Sequence, residues 1–465
     1  MDENFVCHLE SNAGRFASKT ALAWEGGKLT WSELDQLGSG FAGYLSRQGV
    51  RAGDRVAIVL PIGWDFVVAF VGVLKLGATA APLNPLLKSE ELAKLIADLR
   101  PKQIVDQVTA EPGSWDTPAH TSAPALILYT SGSTGRPKGA VFSHNALTFA
   151  NRSWGEPVMA LSPDDTVLAA LPLAHSLGLN GGLLAPLLLG ATVALVERFT
   201  PEAIFDAIRR DRVTVFPGVA TIFRRLLNSP AFPNADFSSL RHAVSGAAPC
   251  PWELAVEWRE RTAARIVRGY GMTELFRPIS YLAADLTDIP DAVGSPVPGV
   301  EIRIVGDGEL KKRGAPGELL IKSPAAMDGY LGDSEETAAV LENGWFNTGD
   351  LAIVSPEGFV RIVGRKRERI LRGGYSIFPQ EVEAVLLSHP AVAEAAVVGV
   401  SSPELGEEVA AFVTLKPAAR TTAEELLDHC KERLARFKYP RQVNILKELP
   451  KGPTGKILKS ELATG

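Results

Sequence analysis

The 465-residue sequence predicts an α/β protein with a large N-terminal domain, built on doubly wound parallel sheets and a small distorted β-barrel, and a small α+β C-terminal domain. Up to Val300, strand-like apolar runs alternate with helical segments, the pattern of a parallel sheet covered by helices. After Val300, short alternating segments separated by Gly and Pro are typical of antiparallel barrel strands. The last stretch is long enough for a separate domain. We therefore expect domains at residues 1–364 and 365–465.

The first part of the chain supplies alternating helices and strands. Thr30 and Glu33 have the spacing of a capping box, which predicts a helix that reaches Arg47. A Gly-x-Gly-x-x-Gly pattern at residues 38–43 falls inside this helix rather than after a strand, so we interpret it as a chance match to a dinucleotide site. We expect strands at 55–60, 78–83, 102–105 and 123–129 and helices at 64–76 and 90–99.

The middle and the end of the chain also contain patterns that predict strands and helices. Residues 166–196 contain no Asp, Glu, Lys or Arg, but their prolines and glycines favour buried strands and helix over a membrane span. Further strands are expected at 166–170, 192–196, 213–216, 240–244, 301–305, 317–321, 358–363, 392–400 and 408–415. Further helices are expected at 201–210, 379–389 and 422–433.

Composition excludes several classes of protein. With 46% apolar and 22% charged residues the chain is typical of soluble globular proteins. The formal net charge of −5 argues against a nucleic-acid or anionic-membrane partner. Three distant cysteines offer neither a disulfide framework nor a metal site, and the acidic N-terminus lacks the pattern of a signal peptide. We expect a cytoplasmic protein without a membrane span, and the sequence leaves open whether it is a monomer or a homodimer.

A loop rich in Gly, Ser and Thr follows the strand expected at 123–129. Glycines let the backbone approach a polyanion closely, while hydroxyls, Arg136 and Lys138 favour phosphate. A Walker loop does not fit because Lys138 is followed by Gly139, and a plain surface turn is the alternative. The loop residues expected to bind the phosphates of ATP are Thr130, Ser131, Gly132, Ser133, Thr134, Gly135 and Lys138.

The run from Tyr129 to His144 resembles the signature of the adenylate-forming enzymes, which include acyl-CoA synthetases, peptide-synthetase adenylation domains and firefly luciferase. Three further motifs match this family in the same order, at residues 268–274, 347–351 and 450–457. Each is weak alone, since each could be an ordinary turn. Together the four motifs cover nearly the full chain and argue against coincidence.

The resemblance implies ATP, Mg²⁺ and coenzyme A as cofactors. Tyr270 suits stacking on a purine, and Thr134 and Glu274 offer oxygen ligands to a phosphate-bound Mg²⁺. By resemblance the Asp350 carboxylate binds the ribose hydroxyls and Arg365 contacts the nucleotide. The remaining nucleotide-binding residues implied lie in two turns after strands: Gly246, Ala247, Ala248, Gly269, Gly271 and Thr273.

The same resemblance assigns the C-terminal domain a mobile, catalytic role. Lys456 matches the family's catalytic lysine, whose ammonium stabilises charge on the carboxylate and α-phosphate by a few kcal/mol, and it joins Thr134 and Glu274 as a catalytic residue. Arg367 takes the hinge position, where many relatives carry Asp or Lys. After rotation about the hinge, Gly373 and Gly374 would lie beside a tunnel for the thiol. Lys438 is a candidate for a coenzyme A phosphate.

The resemblance also implies a pocket for the acyl group. Its candidate residues are His175, Asn180, Gly181, Val219, Gly246, Met272 and Arg277. A lone His in an apolar stretch is more often a satisfied core residue. Arg277 either pairs with a polar substituent of the substrate or forms a structural salt bridge. Small residues dominate this set, which leaves room for a small or medium aliphatic acid, branched and cyclic acids included.

We therefore expect an AMP-forming acid–CoA ligase. It would convert a carboxylate and ATP to an acyl-adenylate and pyrophosphate, and then form a thioester with coenzyme A. A free-standing adenylation enzyme that loads a carrier protein is the alternative enzyme. A non-catalytic nucleotide-binding regulator is disfavoured because Thr134, Glu274, Asp350 and Lys456 are all present.

Overall fold

The computed structural model describes residues 2–109, 111–130, 137–286, 288–306, 309–372, 375–451 and 457–462, without the side chains of Arg367, Tyr375, Ser376 and Ser460. The chain forms two compact units. The first comprises Met1–Ile302 and Ile321–Phe346, and the second comprises Arg303–Leu320 and Asn347–Gly465. The domain boundary expected at residue 365 stays a prediction.

A nine-stranded sheet is the largest element of the first unit. Its six central strands are parallel, and the strands at both edges are antiparallel. Central β-branched and apolar residues such as Val193, Val215 and Val244 are buried, as expected for a sheet covered on both faces. The strand order is Ser295–Pro296, Phe276–Ser280, Arg265–Met272, His242–Ser245, Val215–Gly218, Thr166–Ala169, Thr192–Leu195, Thr20–Trp24, Gly27–Thr30.

A second sheet of six strands lies in the same unit. Four strands are parallel, and an antiparallel pair extends one edge. The order is Gly329–Tyr330, Lys138–Phe142, Leu126–Thr130, Thr79–Pro82, Arg55–Ile58, Gln103–Val105. A short antiparallel pair joins Asp2–Glu3 to His120–Thr121.

Helices connect these strands. The capping box is confirmed: the amide of Glu33 donates to Thr30 Oγ1 over 3.2 Å, and the helix runs from Trp31 to Arg47. It contains the glycine pattern, where a Cβ on Gly40 would lie 1.7 Å from the Glu111 carbonyl oxygen, so packing requires that glycine. The other helical segments are Val6–Arg15, Trp64–Lys75, Ser89–Leu99, His144–Ser153, Trp154–Val158, Leu177–Leu184, Ala185–Leu188, Pro201–Asp211, Ala220–Leu227, Phe232–Asn234, Trp252–Thr262, Thr273–Leu275 and Ser334–Val340.

The uncharged stretch at 166–196 forms two buried strands joined by buried helical turns, as the sequence predicts. Leu179, Leu183 and Leu187 are fully buried in the first unit. Within the described ranges, none of the helices combines the length and the apolar character that crossing a bilayer requires.

The second unit holds most of a third sheet and all of a fourth. The third has the order Glu309–Leu310, Glu301–Gly306, Gly317–Lys322, Trp345–Val354, with Val360–Arg365 and Leu341–Glu342 also paired to Trp345–Val354. Its closure into a barrel stays a prediction. The fourth has the order Tyr375–Ile377, Ile370–Arg372, Gly406–Leu415, Val392–Ser402, with Gln442–Ile445 beside Gly406–Leu415. Helices Pro379–Leu387, Ala423–Arg433 and Lys459–Leu462 and the turn Lys366–Glu368 complete the unit.

Candidate active site

The carboxyl ends of three neighbouring parallel strands of the nine-stranded sheet form an edge at which several of the predicted site residues lie. The strands ending at Gly218 and Ser245 are in register, and the Gly246 amide donates to the Gly218 carbonyl over 3.4 Å. The next strand runs on to Met272. Ligands of open α/β sheets bind outside such strand ends. We call this edge, with Val219, residues 246–248 and residues 269–274, the strand-end site.

A hairpin after the third strand explains both glycines of the 268–274 motif. The chain reverses so that Gly269 pairs with Ser280 and Met272 with Phe276. A Cβ on Gly271 would lie 1.9 Å from the Phe276 carbonyl oxygen, and a Cβ on Gly269 would lie 2.4 Å from Arg277 Cζ. Any side chain at either position would collide with the returning strand.

Phe276, at the tip of this hairpin, has a backbone conformation that favours glycine. Its φ is 54°, in the left-handed region that few large residues adopt. Its ring packs on the ring of Phe142, with centroids 4.5 Å apart. Phe276 lies two residues after Glu274 and directly before Arg277, between the two charged side chains of the hairpin.

Glu274 is a buried carboxylate, 7% exposed, in the short turn Thr273–Leu275. The Tyr330 hydroxyl donates to its Oε1 over 2.8 Å, and its backbone carbonyl accepts the Met327 amide over 2.9 Å. Burial, and then the nearby Glu274 carboxylate, raise the pKa of Tyr330, so the phenol keeps its proton and acts as the donor. Sequence reasoning missed Tyr330, which lies 56 residues away along the chain without a local motif to mark it.

Thr130 and Lys138 flank the phosphate-loop motif and are direct partners on paired strands. Lys138 Nζ lies 2.5 Å from Glu336 Oε2 and 5.2 Å from the centroid of the Tyr330 ring. Glu336 is another residue that sequence reasoning missed. The loop residues Ser131, Gly132, Ser133, Thr134 and Gly135 lie outside the described residues.

Arg277 is buried beneath the strand-end site and is 6% exposed. Its guanidinium donates to Ser280 Oγ, the Ser245 carbonyl and the Val267 carbonyl over 2.9, 2.8 and 3.1 Å. The Trp154 ring centroid lies 4.9 Å from its Cζ. The structural salt bridge that the sequence allowed is absent among the described residues, because each of these acceptors is neutral.

The structure brings several acyl-pocket candidates around Arg277. A Cβ on Gly246 would lie 3.2 Å from its Nη1, and a Cβ on Gly181 would lie 3.0 Å from the Trp154 ring. Val219 caps the helix Ala220–Leu227 directly after the strand that ends at Gly218. Arg277 thus contacts Gly246 directly and is linked to Gly181 through Trp154, a residue that sequence reasoning missed.

Other predicted residues have different surroundings. The Asn180 amide is engaged within the protein, because Oδ1 accepts from Asn151 over 3.0 Å and Nδ2 donates to the Ser176 carbonyl over 2.9 Å. His175 precedes this helical segment, and burial lowers its pKa, so it is neutral near pH 7. Ala247 and Ala248 are exposed, and Ala247 has a φ of 64°. Tyr270, Met272 and Thr273 are half-buried at the hairpin.

In the second unit, Asp350 and Arg365 face each other across an antiparallel pair of strands. Arg365 Nε lies 3.1 Å from Asp350 Oδ1. The Asp350 amide donates to Thr348 Oγ1, whose hydroxyl in turn donates to the Leu319 carbonyl. The two side chains predicted to contact the nucleotide are therefore adjacent and held in place.

The remaining candidates of the second unit are partly described. Lys438 Nζ lies 2.7 and 2.9 Å from the carboxylate oxygens of Glu381. Arg367 lies in the turn Lys366–Glu368. Gly373, Gly374 and Lys456 lie outside the described residues, although Lys451 and Ile457, on either side of Lys456, pair as an antiparallel bridge.

Among the described residues, no cluster of three or more His, Cys, Asp or Glu side chains could hold a metal ion alone. Mg²⁺ commonly binds through one or two carboxylates together with substrate phosphates. Glu274 fits that role because its hydrogen-bonded side-chain partner is the neutral phenol of Tyr330. The phenol orients one oxygen of the Glu274 carboxylate without neutralising the carboxylate, whose negative charge remains available to a cation.

Comparison with known proteins agrees with this geometry. The family model described as AMP-binding enzyme matches residues 9–331, and the AMP-binding enzyme C-terminal domain matches residues 381–456. A feruloyl-CoA synthase of Amycolatopsis is 36% identical, over 95% of each chain. A long-chain-fatty-acid–CoA ligase of Bacillus subtilis is 33% identical, over 98% of this chain and 93% of the relative.

Solved structures show the same similarity. ATP-bound MatB from Rhodopseudomonas palustris superposes with a TM-score of 0.91 at 28% identity, over 100% of this chain and 99% of MatB. The family models account for most of the chain, and the two relatives cover 95% and 98% of it. The chain therefore belongs to the AMP-binding enzyme family, as an AMP-forming acid–CoA ligase that uses ATP and coenzyme A.

Proposed function

We propose that this ligase activates a small or medium-sized aliphatic acid, branched and cyclic acids included. The observation that carries the proposal is the strand-end site, where a buried Glu274 with a neutral partner lies on the same hairpin as Arg277, which packs closely against Gly246. Gly181 and Gly246 contribute no side chains, and Val219 contributes a small one. Small residues at these three positions suit a compact acyl group.

The first half-reaction joins the acid to AMP. A carboxylate oxygen attacks the α-phosphorus of ATP, a P–O bond forms, and the bond to the departing pyrophosphate breaks. Asp350, adjacent to Arg365, would accept hydrogen bonds from the ribose hydroxyls, and Tyr270 would stack on the base. Lys456 would stabilise the charge that develops between the carboxylate and the α-phosphate.

Mg²⁺, when bound, supplies positive charge that offsets the charge of the pyrophosphate group. Glu274 would hold it together with the Thr134 hydroxyl. Tyr330 would keep the Glu274 carboxylate in one orientation, because its phenol binds one carboxylate oxygen over 2.8 Å. Lys138, paired with Glu336, would contribute charge near the phosphates.

The second half-reaction transfers the acyl group to coenzyme A. The thiol loses its proton, its sulfur attacks the acyl carbonyl, and AMP leaves with the electrons of the broken C–O bond. We propose that the unit carrying Lys456 rotates about Arg367 and that Gly373 and Gly374 then line the thiol path. Lys438 would exchange Glu381 for a coenzyme A phosphate.

We also propose that the protein works in a reducing cytoplasm. Cys7, Cys250 and Cys430 are free thiols, and burial raises the pKa of each. Thiols of this kind stay protonated and react slowly.

The test of the proposed substrate class is pyrophosphate release with ATP and Mg²⁺. A panel of short, branched, cyclic, aromatic and long-chain acids is compared with and without coenzyme A. We expect compact aliphatic acids to give the highest kcat/KM and their acyl-CoA to accumulate. Higher kcat/KM for aromatic or long-chain acids would overturn the substrate class. Pyrophosphate release that does not depend on coenzyme A would indicate a carrier-protein thiol as the acceptor.

The catalytic lysine is tested separately. Lys456→Ala should abolish adenylate formation while ATP still binds, because the charge that it contributes acts in the transition state. Lys451→Ala is the matched control, since Lys451 lies in the same segment and pairs with Glu394 at 2.6 Å. Unchanged turnover in Lys456→Ala would contradict the assignment.

A further inference from the structure

Arg277 has more hydrogen-bond donors than the protein satisfies. A guanidinium carries five N–H groups. Three of them reach Ser280 Oγ and the carbonyls of Ser245 and Val267. For the other two, the described part of the chain supplies no acceptor. Unsatisfied donors on a buried charged group are unfavourable, so such a group calls for a ligand.

The charge of Arg277 is also uncompensated. Within the described ranges, no carboxylate forms an ion pair with it. The ionisable group that most affects its pKa, after burial, is the Cys250 thiol, and burial raises the pKa of that thiol, so it stays neutral near pH 7. Burial lowers the pKa of Arg277 to about 9, which still leaves the guanidinium charged at neutral pH. A buried cation without a counter-charge is unfavourable unless an anion joins it.

A second donor beside Arg277 is also without a partner. Trp154, whose ring packs against the guanidinium, is 4% exposed, and its Nε1 has no acceptor among the described residues. Gly246 lies directly against the guanidinium, since a Cβ there would be 3.2 Å from Nη1, so Arg277 contacts a residue of the strand-end site. Two side chains with unsatisfied donors, Arg277 and Trp154, therefore contact each other next to the strand-end site.

Arg268, on the same strand as Gly269, provides an internal control. It is 4% exposed, donates to the carbonyls of Ile289 and Pro290, and lies against the rings of Trp252 and Tyr281. Its Nε, like two donors of Arg277, has no partner among the described residues, so the two arginines differ in their surroundings rather than in burial or in satisfied donors. Arg268 is therefore a buried arginine that binds a loop, whereas Arg277 lies against Gly246 and Trp154. Replacement of Arg268 therefore removes a similarly buried charge at a position that is not one of the acyl-pocket candidates.

We propose that Arg277 binds a second carboxylate of the acid substrate, at the end of the molecule opposite the carboxylate that reacts with ATP. This inference rests on the proposed function and narrows it to aliphatic diacids. The second carboxylate supplies the missing counter-charge and accepts hydrogen bonds from the two free N–H groups of Arg277. The Trp154 indole N–H is a further donor to it. A monocarboxylic acid of equal length leaves the charge of Arg277 without a counter-charge and the donors of Arg277 and Trp154 without an acceptor.

The first test uses the unaltered protein and matched substrates. Acyl-CoA formation is measured with malonate, succinate, glutarate and adipate, with their monomethyl esters, and with monocarboxylic acids of the same chain length. We expect kcat/KM for the best diacid to exceed that for its monomethyl ester by at least about 100-fold. Equal or higher kcat/KM for the ester would overturn the inference. Absence of acyl-CoA from every acid of the wider panel would instead contradict the proposed function.

The second test uses Arg277→Gln, Arg277→Lys and Arg268→Gln. Arg277→Gln should lower kcat/KM for the diacid about 100-fold and that for the ester less than about threefold, and Arg277→Lys should retain part of the diacid activity. Arg268→Gln should lower Tm without changing the ratio of diacid to ester. An equal loss for diacid and ester in Arg277→Gln would show a structural role. If Arg277→Gln does not fold, the substrate comparison with the unaltered protein decides the question.

Discussion

Buried charges are compensated in opposite ways in two regions of the first unit. Lys75, 1% exposed at the end of helix Trp64–Lys75, is paired with Glu10 and, at 2.8 Å, with Asp35. At the strand-end site, Glu274 and Arg277 are almost as deeply buried, yet their side-chain partners among the described residues are neutral. Protein carboxylates neutralise the charge in the helical region, whereas the charges of the strand-end site are left for ligands.

The physical reason lies in the desolvation of the charged groups. A buried ion loses much of its hydration, and only an opposite charge with good geometry makes up for that loss. Lys75 joins three helices, so its carboxylates come from neighbouring elements and are always present. At a binding site, a permanent counter-ion would compete with the substrate or the metal ion.

The largest loss of stability is expected when Lys75, like Arg277, is left without a charged partner. The double variant Glu10→Gln and Asp35→Asn leaves a buried ammonium with neutral partners, and we expect unfolding free energy to fall by about 3–5 kcal/mol. Urea unfolding at pH 7 measures this, with Glu90→Gln as a control because Glu90 is exposed. A loss below about 1 kcal/mol would mean that Lys75 is stable without carboxylates.

A second effect concerns two buried histidines that stay uncharged in the folded protein. Burial lowers the pKa of His144 and His242 from 6.5 to about 4, so both stay neutral in the folded protein. Between these pH values the unfolded chain binds more protons than the folded one, so stability falls as pH decreases through 6.5 towards 4. We expect each to lower the unfolding free energy by about 2 kcal/mol between pH 7 and pH 5.

Urea unfolding across that pH range, with the unaltered protein and with His144→Asn, checks this expectation. The variant should lose only part of the histidine-dependent slope, because His242 and His175 remain. His120, which is exposed, serves as the control in His120→Asn. An identical slope in His144→Asn and the unaltered protein would show that His144 does not titrate differently on unfolding.

A smaller effect is expected from Tyr330→Phe. The variant removes the neutral donor that orients Glu274, and a hydrogen bond to a charged group contributes about 1.5–3 kcal/mol. We expect kcat/KM to fall at least about tenfold and the Mg²⁺ concentration for half-maximal activity to rise, with Tyr44→Phe as control. Unchanged Mg²⁺ dependence would mean that Tyr330 does not position Glu274 for the metal ion.

The smallest effect should come from an exposed ion pair. Lys94 and Glu90 lie one helical turn apart at 2.9 Å, with side chains 68% and 83% exposed. Because water solvates both charges, Lys94→Gln should change the unfolding free energy by only about 0.3–0.5 kcal/mol. A loss above about 1 kcal/mol in urea unfolding would show that exposure does not set the contribution of ion pairs here.

Local patterns were sufficient to predict most elements and the edge that carries the site. The capping box at Thr30 and Glu33 and the alternation of apolar runs act within a few residues, so they can be read without the fold. The motif at 268–274, expected in a turn after a strand, lies mostly on the strand Arg265–Met272 itself, and the hairpin that this strand forms gives the reason for its glycines. Gly269 and Gly271 make room for Arg277 and for the Phe276 carbonyl of the returning strand.

The compensation of each charge, in contrast, depended on the tertiary structure. Tyr330 reaches Glu274 across 56 residues, and Lys75 meets Glu10 across 65. The sequence identified Glu274 and Arg277 as chemically active residues and left open whether Arg277 forms a structural salt bridge. Hydrogen bonds and ion pairs form between groups that packing brings within about 3 Å, whatever their separation along the chain. Residue types and local spacing therefore indicated the chemistry, and long-range packing decided which charges remain available to a ligand.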